Sequence, residues 1–199
     1  MKKFFVILAT FALSLGLQAQ TARQILDKTA AVVQSYTTAS AGFVATSKQG
    51  NMSGTIILQG KKFAITSASA NIWFDGATMW SMQHGSGEVN VTTPTAAELQ
   101  RMNPYTFLNL YKSGYNLTAK ASGNNNVVTM TAQKPGNGIQ SMVVTINKTT
   151  NLPSKVVMTS KNSSVTISIN NVKKIAKKAD GYFKFDKKKY PKVEIIDLR

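Results

Sequence analysis

From about residue 40 onward, apolar residues recur at every second position in short runs, and a turn signal separates each run from the next. Such a chain builds sheet, because a period of two sends alternate side chains to opposite faces of a pleated strand. Strands are predicted near 40–47, 53–59, 61–68, 71–74, 77–82, 88–92, 115–120, 127–133, 140–147, 154–160, 163–172, 182–185 and 193–198. The turns fall at Gly60, Asp75-Gly76, 84–87, 123–126, 134–138, 147–153 and 162–164. Even spacing and short turns predict an antiparallel meander.

One hairpin breaks the usual economy of such a sheet. The stretch NIWFDGATMW (71–80) holds both tryptophans around Asp75-Gly76. Read as a two-residue turn, it pairs Phe74 with Ala77, Trp73 with Thr78, Ile72 with Met79 and Asn71 with Trp80. Ile72, Phe74, Ala77 and Met79 then share one face, and Trp73 and Trp80 lie diagonally on the other. A surface hairpin is apolar on one side only. This one is apolar on both, so both faces require cover.

Two helical segments are available. Ala22, Ile25, Leu26, Thr29, Val32, Val33 and Tyr36 recur at helical spacing, with Thr21 as a candidate cap. Within Thr93–Gly114, Thr95 and Glu98 fit a capping box, and Asn103-Pro104 opens a further helix that Gly114 can end. Leu99, Met102, Tyr105, Phe107, Leu108, Leu110 and Tyr111 exceed one narrow stripe, which makes this insertion a candidate lid.

The chain has 199 residues. Lys2-Lys3 followed by the apolar run Phe4–Leu17 reads as a signal peptide cut after Ala19, too short to span a bilayer comfortably. Residues 20–199 then form a single exported domain. Without cysteine there is no disulfide, thiolate metal site or acylated N-terminal cysteine. The formal charge of +16 becomes +14 without Lys2 and Lys3. From Lys155 to Arg199, 12 Lys/Arg face 4 Asp/Glu, a net +8 that favours anionic partners. A leader and the lack of any zinc-finger or ribonucleoprotein motif disfavour nucleic acid.

The inventory for catalysis is thin. His84, the only histidine, sits in a glycine-rich turn, and Asp75, Glu98 and Asp180 are turn or cap residues. No metal centre and no cofactor are expected. Paired carboxylates remain the one hydrolase reading. The sequons at Asn51, Asn90, Asn116, Asn147 and Asn162 match what chance gives in a chain rich in Asn, Ser and Thr. What is left is apolar excess. Phe43, Phe63, Trp73, Met79, Trp80, Met82, Met102, Phe107 and Met142 are adaptable liners for a ligand cavity, and they would serve equally as core. Ile56, Leu58, Ile65, Leu99 and Leu108 complete the expected lining.

The stretches GTIILQGKKFAI (54–65), WFDGATMW (73–80), EVNVTTPTAAELQRMNPYTFLNLYKSGY (88–115) and FKFDKKKYPKVEIIDLR (183–199) together resemble the periplasmic lipoprotein carriers of the LolA type, in the form found in Bacteroidetes. The resemblance implies a mainly β fold with α, an unclosed antiparallel β-barrel (a half-barrel) with helices forming a lid over the concave face. It implies a non-enzymatic monomer that takes acylated lipoproteins from an inner-membrane exporter and passes them to an outer-membrane acceptor. Phe63 is the residue it carries over most directly. The better-studied form has an Arg-Pro pair before that aromatic. Here Gly60-Lys61-Lys62 precede it, so Lys61 or Lys62 would take the place of that cation as a point charge. Arg199 and Lys187, Lys188 and Lys189 read as a docking or headgroup-facing surface. A carrier of another lipid or amphiphile, or a sensor module with an ordinary core, would use the same fold.

Overall fold

The computed structural model describes residues 21–96, 98, 99, 110–134 and 138–199. The expected leader, Met102, Phe107, Leu108 and the helix expected at Asn103-Pro104 lie outside them. Helix α1 spans 21–34. The strands are β1 (Ala39–Ser47), β2 (Gly50–Gln59), β3 (Lys62–Ser67), β4 (Ala70–Phe74), β5 (Met79–Gln83) and β6 (Glu88–Thr92). They continue with β7 (Tyr115–Ser122), β8 (Asn125–Ala132), β9 (Ile139–Asn147), β10 (Pro153–Ser160), β11 (Ser164–Lys174) and β12 (Glu194–Asp197). In the sheet they run β12-β6-β5-β4-β3-β2-β1-β11-β10-β9-β8-β7, so among the described residues β12 and β7 are the outermost strands and do not pair with each other to close it.

The expected meander holds through β1–β6 and β7–β10, with two differences. The apolar residues at 182–185 do not form a strand. Asp180–Phe183 is a 3-10 turn instead, closed by the Tyr182 amide donating to the Ala179 carbonyl. The strand near 193–198 does form, but it pairs with β6 in parallel. The two strands are not consecutive: β7–β11 intervene in the chain, and the stretch after β11 leads it from beside β1 to the far side of β6.

The chain divides into two compact units. In the first, Gln34–Asn103 with Thr166–Arg199, the β4–β5 hairpin shows a different register from that expected. Phe74 opposes Met79, Trp73 opposes Trp80 and Ile72 opposes Ser81, so the loop has four residues and the tryptophans are directly opposite. Asp75 is the cause. Its Oδ1 accepts from the amides of Ala77 and Thr78, at 3.0 and 2.9 Å, and its own amide donates to the Thr78 carbonyl. This side chain–backbone turn holds Ala77 and Thr78 in the loop; Gly76 takes the positive φ of 104°. A slip of two residues preserves the faces, so the apolar-on-both-sides character survives. In the insertion, residues 96, 98 and 99 are helical and the capping box forms. The Thr95 amide donates to Glu98 Oε2 at 2.7 Å, and the Glu98 amide to Thr95 Oγ1 at 3.3 Å.

In the second unit, Met1–Val33 with Pro104–Val165, register stacks Leu117, Met130, Met142 and Met158 across β7–β10, and Val128, Val144 and Val156 in the next row. All of these are buried. Helix α1 buries Ala22, Leu26, Thr29 and Ala30, one stripe at helical spacing. Tyr111, 2% exposed, donates its hydroxyl to Asp27 Oδ1 on that helix at 2.5 Å, and the Arg23 guanidinium lies 5.9 Å from its ring centre. Burial, then the bond to Asp27, pushes the Tyr111 hydroxyl up to about 12 from 10.0.

Two predictions follow from these anchors. Asp75→Ala should lower unfolding free energy by about 1–2 kcal/mol in urea titration, and Asp75→Asn by less. Burial raises the Asp75 carboxyl, but the Thr78 and Ala77 amides and Lys184 outweigh it and hold it below 3.8. Its contribution is therefore present above that pH and is lost as pH falls through the folded value. Tyr111→Phe should cost about 1–2 kcal/mol. The wild-type advantage over this variant should be complete below pH 10 and vanish as pH rises through about 12, as read from urea midpoints across that range.

Candidate functional site

In the first unit the antiparallel register of β1–β5 sorts the expected lining residues onto two faces. Phe43, Ile56, Leu58, Phe63 and Ile65 share one with Phe74, Ile72 and Met79. Along it, Ala39, Leu58, Phe63, Phe74 and Met79 form one cross-strand row, and Ala41, Ile56, Ile65 and Ile72 the next. The Phe63 and Phe74 rings meet at 5.2 Å with a 35° tilt. Phe63 is 1% exposed; Leu58, Ile72 and Met79 are half-buried.

Trp73, Trp80 and Met82 occupy the opposite face with Ala64, Val89 and Val91. No single cavity on one face of this sheet includes both groups. Met142 belongs to the methionine row of the other unit, and Leu99 is half-buried on the insertion.

What covers the Trp73 face is the chain itself. The segment 175–193 forms a strap, tied at many points. It begins where the Ile175 amide donates to the Thr38 carbonyl. Buried Gln59 accepts from Thr38 Oγ1 and from the Lys178 amide, and donates to the Lys178 carbonyl at 3.1 Å. Lys62 Nζ meets Asp180 Oδ1 at 2.7 Å, and Lys184 Nζ lies 3.5 Å from Asp75 Oδ2. Phe183 is fully buried. Phe185 and Tyr190 stack on each other at 5.5 Å, and both meet Trp73 edge-on at 5.8 and 6.0 Å. Asn71 Nδ2 reaches the Tyr190 hydroxyl at 3.4 Å.

Of the two expected cations, Lys62 is engaged in holding the strap, which depresses the Asp180 carboxyl below its usual range. Lys61 is exposed. Sequence reasoning missed Phe185 and Tyr190 as cover, because it placed Phe185 at the end of an expected strand and their spacing follows neither strand nor helix. Their signal was aromatic residues inside a lysine-rich stretch. Among the described residues no three His, Asp or Glu side chains cluster as metal ligands, and no helix is long and apolar enough to cross a membrane.

Phe185→Ala should open the strap over Trp73. A red shift of tryptophan emission and a loss of about 2 kcal/mol in stability are expected. Unchanged emission would mean that the ring contacts do not seal this face.

The described fold has counterparts among solved structures. It is similar to an uncharacterized conserved protein from Thermus thermophilus, at 10% identity and a TM-score of 0.59, covering 89% of this chain and 99% of that one. A DUF1329 family protein from Desulfovibrio piger aligns at 12% identity and a TM-score of 0.52, covering 84% and 97%. A LolA superfamily protein from Nitrosomonas europaea aligns at 8% and 0.47, covering 82% and 97%. At these identities the likeness concerns the fold alone. No curated protein matches the sequence. The model of the outer membrane lipoprotein carrier protein LolA family matches residues 8–162, most of the chain. With an open, mainly β sheet and a helix to set beside that match, the chain belongs to the LolA family of outer membrane lipoprotein carrier proteins.

Proposed function

We propose that the protein is a periplasmic carrier that shelters the acyl chains of lipoproteins against the Phe63 face of its sheet. In this reading residues 1–19 are removed after Ala19, and residues 20–199 are the carrier. It ferries cargo as a monomer from an inner-membrane exporter to an outer-membrane acceptor. Family membership supports the class of function. The observation that favours this face is the strap: Phe185 and Tyr190 already occupy Trp73, whereas the Phe63 face carries cross-strand rows of apolar side chains in which Leu58, Ile72 and Met79 are half-buried.

The energetics require such a shelter. Moving an acyl chain into water costs about 0.8 kcal/mol per methylene, so three chains of about fifteen methylenes would cost roughly 35 kcal/mol. Phenylalanine, isoleucine and methionine rows can take flexible chains without demanding one shape.

Native mass spectrometry of protein purified from a periplasm without detergent tests the proposal. Added mass of a triacylated polypeptide is the expected result. Added mass of phospholipid or fatty acid would keep the cavity and change the cargo class. Met79→Glu, at a half-buried position on the Phe63 face, should abolish the bound mass while leaving the far-UV spectrum unchanged. An acyl probe carrying a quencher should quench tryptophan weakly, since Trp73 and Trp80 lie behind the sheet. Strong quenching would move the cargo to the Trp73 face and overturn the assignment.

A further inference from the structure

We propose that the strap, with the end of β11 and the β12 segment that flank it, is a membrane-docking surface for anionic phospholipid bilayers. Between Lys173 and Lys192 the chain carries nine lysines against two aspartates, a net +7. Both acids are already engaged. Asp180 bonds Lys62, and Asp186 turns the chain by accepting the Lys188 amide at its carboxylate and the Lys189 amide at its carbonyl. Lys184 is paired with Asp75, Lys187 donates to the Val193 carbonyl, and the Lys178 ammonium lies over the Tyr182 ring at 5.2 Å. That leaves Lys173, Lys174, Lys177, Lys188, Lys189 and Lys192 exposed and, among the described residues, in no ion pair, with Lys177 alone adding to the field at Asp180.

These charges are held in place. The aromatic contacts on Trp73 and the buried Phe183 hold the backbone that bears them, so docking meets little ordering cost. A second observation separates this surface from an ordinary solvated lysine face. The described large apolar residues that are markedly exposed are Val44, Tyr182, Ile195 and Leu198. Three of these four lie within the same C-terminal stretch, at 40%, 47% and 61% exposure. A tyrosine and aliphatic side chains beside lysines form the combination that settles at headgroup level: cations meet lipid phosphates while the apolar groups enter the interface. The family match ends at residue 162, so this surface lies outside it. The proposal stands whether or not the cargo is a lipoprotein.

Cosedimentation with large vesicles is the test, using the purified protein free of cargo. Binding is expected to phosphatidylcholine vesicles containing one-third phosphatidylglycerol. Pure phosphatidylcholine should bind at least tenfold more weakly, and raised salt should weaken the anionic binding. The triple variant Lys188→Ala, Lys189→Ala, Lys192→Ala should lose on the order of 100-fold in affinity with an unchanged thermal midpoint. Leu198→Ser should weaken the binding that persists at high salt. Equal binding to both vesicle types, no binding to either, or an unaffected triple variant would overturn the proposal. Capture of an acidic protein without vesicle binding would assign the surface to a protein partner instead and equally overturn it.

Discussion

The contact of Trp73 with Phe185 and Tyr190 decides how this sheet meets its surroundings. A strand pair with apolar side chains on both sides cannot rest against solvent, and here one side is closed from within the chain. The closure is specific. Two stacked rings meet the indole edge-on, an amide reaches the Tyr190 hydroxyl, and ion pairs at Lys62 and Asp75 hold the strap on either side of the β3–β4 hairpin. The ion pairs are partly exposed and contribute little by themselves. Burial of the aromatic rings carries the energy, and the charges set the path.

That closure gives the sheet two unlike faces. The Trp73 face is aromatic, internally hydrogen-bonded and occupied. The Phe63 face is built from aliphatic and phenyl groups in cross-strand rows, with the polar Ser67 and Ser81 toward its margins. Phe43, Ile56, Phe63, Ile65 and Phe74 are buried there, while Leu58, Ile72 and Met79 are half-buried, and an aliphatic surface without directional bonds suits a ligand whose shape varies. The two faces thus divide stability from the adaptable surface on which the carrier proposal rests.

Much of this was legible in the sequence. The period of two persists through β1–β11, so twelve of the thirteen expected strands appear within a few residues of their predicted bounds. The Thr95–Glu98 capping box was readable for the same reason: its chemistry is local. Three features were not. The hairpin register depended on where the Asp75 carboxylate would turn, and a two-residue or four-residue loop satisfies the same pattern. The parallel pairing of β12 with β6 joins segments about a hundred residues apart, and nothing near Glu194 names its neighbour. The cover of Trp73 came from Phe185 and Tyr190, whose spacing reflects an irregular strap fitted to one side chain. The sorting of Phe63 and Trp73 onto opposite faces, by contrast, follows from parity alone and survived the change in register.

The parallel edge has a consequence for the order in which the protein can be completed. Strands β1–β6 are complete at Thr92, well before residues 175–197, yet those residues supply both the second neighbour of β6 and the cover of Trp73. A chain made or threaded from its N-terminus holds this half of the sheet with a bare edge and a bare aromatic face until the strap arrives. Long-range closure of this kind is slow, and during the wait the unfinished sheet offers backbone and ring surface to any other chain. A sheet completed in this way stays open to interception until its final segment is in place.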